Sequence, residues 1–181
     1  MLYARFDEID NVLASLDLLA TLAPLVKRRR SRSYWKWIIV GAHDAVQGAV
    51  VCAIADTTGT NVLSKKSGKT VLKWLEDTSK EFPGEYMADF ETLLKRALIE
   101  LPPKDAKDIR KLHSLRNDFA HFTPKGWSIE LAGLPRIIEA ALRLVERLMQ
   151  SDRIQYRMTG NKTRRVRDNL KAVRTALGIT I

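Results

Sequence analysis

Between residues 112 and 122 the sequence places His113, Arg116, Asn117, Asp118 and His121 among Leu112, Leu115, Phe119 and Phe122. Wound on an α-helix at about 100° per residue, the four apolar side chains fall within about 80° of one another and form a core stripe. His113, Asn117 and His121 follow an i, i+4, i+8 row on another face. Arg116 lies between row and stripe, where its stem can cover apolar surface while its guanidinium reaches the row. Histidine titrates near neutral pH and can take or give a proton. Arginine stays charged and binds phosphate oxygens bidentately. An amide can hold a phosphate oxygen or orient an imidazole. Metal-free RNA cleavage needs this inventory: a base for the 2′-hydroxyl, an acid for the leaving 5′-oxygen and a cation for the phosphate. The bland alternative is a helix C-terminus whose His and Arg complement the dipole.

The same residues make a poor metal site, because two histidines eight positions apart with one nearby Asp118 do not supply a tetrahedral ligand set. No Ser or Cys stands beside a histidine with an orienting acid, so a nucleophilic triad is not indicated. SKKSGKTVL (64–72) ends like a phosphate-binding P-loop. It lacks the earlier glycine, since position 63 is leucine, and it does not follow a strand. It reads as a loop entering a helix, with Ser67 as the expected N-cap.

Positioning the row falls to a chain that is periodic at three to four residues almost throughout. Helices are expected over about 2–22, 34–55, 69–80, 85–100, 104–122, 135–150 and 161–176. The interruptions are Pro24 with a basic run, the polar stretch 56–68, FPG at 82–84, LPP at 101–103 and TPKG at 123–126, and Gly178 follows the last helix. The second helix is apolar nearly all round, as a central helix is, yet it carries His43 and Asp44. These two either aim polar groups at a cleft or form a satisfied buried pair. The expected class is all-α, a helical bundle over 1–151 with an additional basic C-terminal helical extension over 152–181.

Apolar residues at 45% of 181 suffice for one core, and Cys52 as the lone cysteine excludes a disulfide framework and a thiolate zinc site. The most apolar run, 38–55, contains His43, Asp44 and Gln47, so it reads as a buried helix and not a membrane span. With an acidic N-terminus unlike a signal peptide, a cytoplasmic location is expected. The net charge of +10 is concentrated: residues 27–36 hold six Lys or Arg and no acid, and residues 152–174 hold eight against Asp152 and Asp168. The remainder carries 17 basic and 19 acidic residues, so two segments supply the whole excess. Lys27, Arg28, Arg29, Arg30, Arg32, Arg164, Arg165 and Arg167 are therefore candidates for an RNA backbone, with Tyr34, Trp35, Trp37 and Tyr156 as stacking or core aromatics. Solvated basic faces are the alternative.

Arg116-Asn117-x-x-x-His121 resembles the signature of the HEPN superfamily: Arg, four to six residues, then His, often with a polar residue straight after the Arg. Its placement at a helix end late in an all-helical chain, followed by a loop and one long amphipathic helix, agrees with that family. The resemblance spans roughly 1–150, and only 112–122 is specific. It implies a compact helical bundle and, for many members, a metal-independent endoribonuclease found as a toxin, in antiviral defence or in RNA processing. Arg116 would contact the scissile phosphate, His121 would be the general acid or base, and Asn117 would bind or orient. No cofactor is implied. A homodimer is, with the two motifs meeting across a shared cleft, and an antitoxin or nucleotidyltransferase partner occurs among relatives. The basic segment after 152 departs from the minimal bundle and would be an RNA-binding arm or a helix embracing a second protomer. Some members only bind nucleotides, RNA or partners, so a non-catalytic dimeric binding module stays open beside the nuclease.

Overall fold

The computed structural model describes residues 3–27, 33–121, 124 and 126–179. Eight α-helices form in chain order among them: α1 (Glu8–Leu22), α2 (Tyr34–Ile54), α3 (Lys65–Glu76), α4 (Phe90–Arg96), α5 (Pro103–Ala120), α6 (Leu134–Met149), α7 (Asp152–Gln155) and α8 (Gly160–Leu177). Short 3-10 turns follow α1 (Ala23–Lys27) and α2 (Thr60–Val62). The fold is all-α, and its only extended pairing among the described residues is an isolated antiparallel bridge between Leu63 and Met87.

α2 is the axis of the bundle, packed by α1 along its length and by α6, α5 and α4 around it. Its all-round apolar sequence makes this necessary: Ile38, Ile39, Val46, Ala49 and Val50 point in different directions, and each is fully buried. The stretches Glu8–Val26 and Tyr34–Ile54 are long and apolar enough to cross a bilayer, and most of the second is buried inside the bundle. α1 meets α2 closely at Gly48, where an added Cβ would stand 2.8 Å from Val12 Cγ2.

Local chemistry sets the helix ends, and it moves several boundaries from their expected places. α1 starts at Glu8 rather than near residue 2, because Asp7 and Asp10 form a reciprocal capping box, with the Asp7 side chain accepting from the Asp10 N–H at 2.7 Å. α3 starts at Lys65, inside the expected loop. Its N-cap is Ser64, whose Oγ accepts from the Ser67 N–H at 3.2 Å; Ser67 itself is helical and buried, and its Oγ accepts from the Tyr86 N–H at 3.0 Å. α4 is far shorter than 85–100. Residues 86–88 are held extended by Ser64 N–H to Tyr86 O (2.8 Å) and Ala88 N–H to Val62 O (2.9 Å), so the helix begins only after Asp89 caps it through the Thr92 N–H. It ends at Arg96, and Leu98 just beyond it takes the left-handed φ of 51°. α5 and α6 follow their expected limits, each with a proline in its first turn.

The basic segment after residue 152 packs back onto the bundle. α8 lies against α1 and α6, and Val166, Leu170, Val173 and Leu177 join the same buried cluster as Leu13, Leu16 and Leu142. Its N-cap is Thr159, and Gly178 closes it with a φ of 70° while the Ile179 N–H donates to Arg174 O at 3.0 Å.

Candidate functional site

α2, α4 and α5 converge on three rings: His43, Phe90 and His113. His113 stacks on Phe90 with centroids 4.7 Å apart and planes 18° apart, and His43 sits 4.6 Å from Phe90 and 5.1 Å from His113. His43 is 1% exposed in an otherwise apolar stretch, so its ring nitrogens must find partners inside the protein. One does: His43 Nε2 lies 2.9 Å from His113 Nδ1. The other, Nδ1, has no hydrogen-bond partner, because Asp44 Oδ1 stands 3.6 Å away. The local His43–Asp44 pair is therefore not the satisfied pair the sequence offered. The partner comes from α5.

The chain of contacts continues outward. Asn117 Nδ2 lies 3.1 Å from His113 Nε2, and Arg116 Nη1 donates to Asn117 Oδ1 at 3.3 Å. One assignment of protons satisfies the series. Arg116 donates to the amide oxygen, the amide nitrogen donates to His113 Nε2, and the His113 Nδ1–H donates to His43 Nε2. The His43 Nδ1–H then points toward Asp44. In this order both imidazoles are neutral, and each fixes the tautomer of the next. Burial, and then repulsion from His43, hold the His113 pKa below the usual imidazole value; Glu91 opposes this from α4.

Arg116 is half-buried, and its one hydrogen bond among the described residues goes to the neutral Asn117 amide. It forms no ion pair among the described residues. The other half-buried or buried arginines there do: Arg157 bonds Glu8 at 2.7 Å, and Arg174 bonds Glu139 at 3.0 Å and Glu146 at 2.8 Å. An arginine partly withdrawn from water and lacking a carboxylate keeps its charge for an anion from outside.

His121 caps the C-terminus of α5 and its N–H donates to Asn117 O at 2.8 Å. Its side chain is exposed and stands outside the Arg116–Asn117–His113–His43 chain. The structure thus brings Arg116 and Asn117 together and leaves the His121 ring at the helix end. It keeps His113 of the same row beside them and adds His43 and Phe90, which sequence periodicity could not join to the row because they come from α2 and α4. Of the expected stripe, Leu112 and Leu115 are buried and Phe119 packs on Trp127 at 4.7 Å, while Phe122 lies outside the described residues.

Among the proposed backbone contacts, Arg28, Arg29, Arg30 and Arg32 lie outside the described residues, as does the Lys27 side chain. Arg165 is bound to Asp17 of α1, through Nε at 3.0 Å and through a second contact from Nη2. Arg164 and Arg167 are exposed and touch only Asn161 and Asp168 on their own helix, each at 3.3 Å. Lys162 is matched by Asp10 at 2.7 Å. Much of the C-terminal basic excess is thus neutralised by the acidic face of α1. Of the aromatics, Trp35 is core at 7% exposure, whereas Trp37 and Tyr156 are exposed at 49% and 81%. No group of three His, Cys, Asp or Glu among the described residues is placed to hold a metal ion. No family model, curated protein or solved structure matches the chain.

Proposed function

We propose that the protein is a metal-independent endoribonuclease of the HEPN type, acting on RNA as a homodimer in the cytoplasm, as a toxin or defence component. The observation that carries the reading is the half-buried Arg116, without a carboxylate partner among the described residues and held by an Asn117 whose amide is itself fixed from the core. That arrangement presents a guanidinium in one orientation, as stabilisation of charge on a scissile phosphate requires. In the reaction a base removes the 2′-hydroxyl proton and O2′ attacks phosphorus. The bond to O5′ then breaks, and an acid protonates the leaving oxygen. The products are a 2′,3′-cyclic phosphate and a 5′-hydroxyl. Arg116 stabilises the charge, Asn117 orients it, and His121 handles one proton. His121 of a second protomer would handle the other.

A second reading is a non-catalytic HEPN-like dimeric module that binds RNA, a nucleotide or a partner such as an antitoxin or nucleotidyltransferase. It is favoured by the exposed His121 ring, which no hydrogen bond orients among the described residues. The two are separated by incubating wild type, Arg116→Ala and His121→Ala with a mixed RNA pool in EDTA and mapping fragment ends. The nuclease reading expects cyclic-phosphate ends from wild type and a loss of about 10²-fold or more in each variant. Salt-sensitive RNA binding without cleavage in all three would replace it with the binding module.

A further inference from the structure

On another face of α5 from Arg116, α5, the connector that follows it and the start of α6 enclose a groove of about 710 Å³, lined by Lys107, Asp108, Arg110, Lys111, Trp127 and Arg136 among others. Its size is that of a small-molecule site. Its floor holds a buried charge. Asp108 is 2% exposed, Arg136 Nη2 meets its Oδ1 at 2.9 Å, and its Oδ2 is buried with no hydrogen-bond partner among the described residues. A buried carboxylate with only one oxygen paired is costly to desolvate, and the pairing it has is correspondingly strong. Here it anchors the guanidinium of Arg136, a residue whose side chain is otherwise 55% exposed, and so fixes an arginine at the rim.

The rest of the groove is chemically mixed. Lys107, Arg110 and Lys111 form no ion pair among the described residues and stand on one helix beside Arg136. Trp127 is 38% exposed and braced at 4.7 Å by Phe119, so its ring is held rather than swinging in solvent. Asp118 and Glu130 also line the groove, which keeps it from being a general trap for anions and offers acceptors to the N–H edge of a base. Cations for a phosphate, a braced aromatic for a base and carboxylates for its donors are what one nucleotide unit requires.

The geometry points to this groove as a subsite for one nucleotide of an RNA strand, with phosphate on Arg136 and Lys111, the base against Trp127, and Asp108 as the residue that positions Arg136. The assignment rests on the RNA reading for its ligand and not for its residues.

The test is fluorescence anisotropy with a labelled ten-nucleotide RNA on the full chain, comparing wild type with Trp127→Ala, Trp127→Phe, Arg136→Ala and Lys111→Ala, with cleavage scored on the same preparations. These side chains are exposed or half-exposed, and a melting curve for each variant verifies the fold. Trp127→Ala and Arg136→Ala are expected to weaken binding about tenfold, with Trp127→Phe restoring most of it. Arg136→Ala and Lys111→Ala should each reduce the slope of log affinity against log salt by about 0.7. Competition by adenosine and guanosine monophosphates should need at least about tenfold higher concentration than unlabelled RNA, because a strand adds phosphate contacts. Equal competition would overturn the strand assignment in favour of a free nucleotide. Wild-type affinity in the groove variants, with Arg116→Ala defective, would overturn the groove and leave the nuclease reading standing. Loss of binding in the groove variants with no cleavage by wild type would keep the groove and remove the nuclease. Absence of RNA binding by wild type would overturn both.

Discussion

His43 and His113, seventy residues apart in the sequence, share a 2.9 Å contact between Nε2 and Nδ1, and that contact ties the central helix to the helix that carries Arg116. His113 in this setting tolerates a proton poorly. A charged His113 would have to keep its bond to His43 while facing Arg116 on the other side. Its folded-state pKa is accordingly lowered. The unfolded chain then binds more protons than the folded one between that lowered value and about 6.5. Stability contributed by the neutral His113 is therefore complete above about pH 6.5 and is lost as the pH falls through that window. Melting temperatures taken from pH 7.5 to 5 should fall, and His113→Gln should flatten the decline. An equal decline in both proteins would assign it to other groups.

Removing the buried partner is a separate matter from titrating it. His43→Ala opens a cavity against Phe90 and leaves the His113 Nδ1–H without its acceptor. The two losses together predict about 2–4 kcal/mol, read as a lower urea midpoint with an unchanged slope.

Gly48 in α2 offers a test of sign. An exposed helical Gly→Ala gains about 1 kcal/mol from propensity. At this position the new methyl would meet Val12 Cγ2 at 2.8 Å, and Val12 is fully buried and stiff at χ1. Overpacking of this kind costs about 1–3 kcal/mol and outweighs the gain. Gly48→Ala should therefore destabilise the protein, and Gly48→Ala combined with Val12→Ala should lose less than the sum of the two single changes.

The docking of α8 on α1 is visibly ionic and energetically apolar. Arg165→Ala removes a surface pair with Asp17 and should cost less than about 1 kcal/mol. Leu170→Ala removes a side chain 1% exposed and should cost about 2–4 kcal/mol. Denaturation of the two variants gives the ranking directly, and the reverse order would mean that charge holds the helix in place.

Cys52 sits in the α2 interface, where burial, with a smaller contribution from Glu8, pushes its thiol up to about 12. A thiol reagent at pH 8 should leave the native protein unmodified and label it once urea unfolds it. Rapid native labelling would show that α2 is exposed on the time scale of the assay.

The helical class, the central place of the mostly apolar 34–54 stretch and the limits of α5 and α6 are determined by the sequence alone, because periodicity and proline or glycine stops act over a few residues. So is the adjacency of Arg116 and Asn117, which are neighbours in the chain. The start of α3 was hidden because Ser64 and Ser67 are equally good caps in isolation; pairing of residues 62–64 with 86–88 selects Ser64 and also shortens α4. Composition counts eight cations after residue 152 but not the acids that face them, since Asp10 and Asp17 are more than a hundred positions away. The His43–His113–Asn117–Arg116 chain and the groove over Asp108 arise only when α2, α5 and the connector before α6 are brought together. A buried polar side chain must be satisfied, but its own sequence neighbourhood does not say by whom: for His43 the adjacent Asp44 stays out of bonding range, and packing supplies His113 instead.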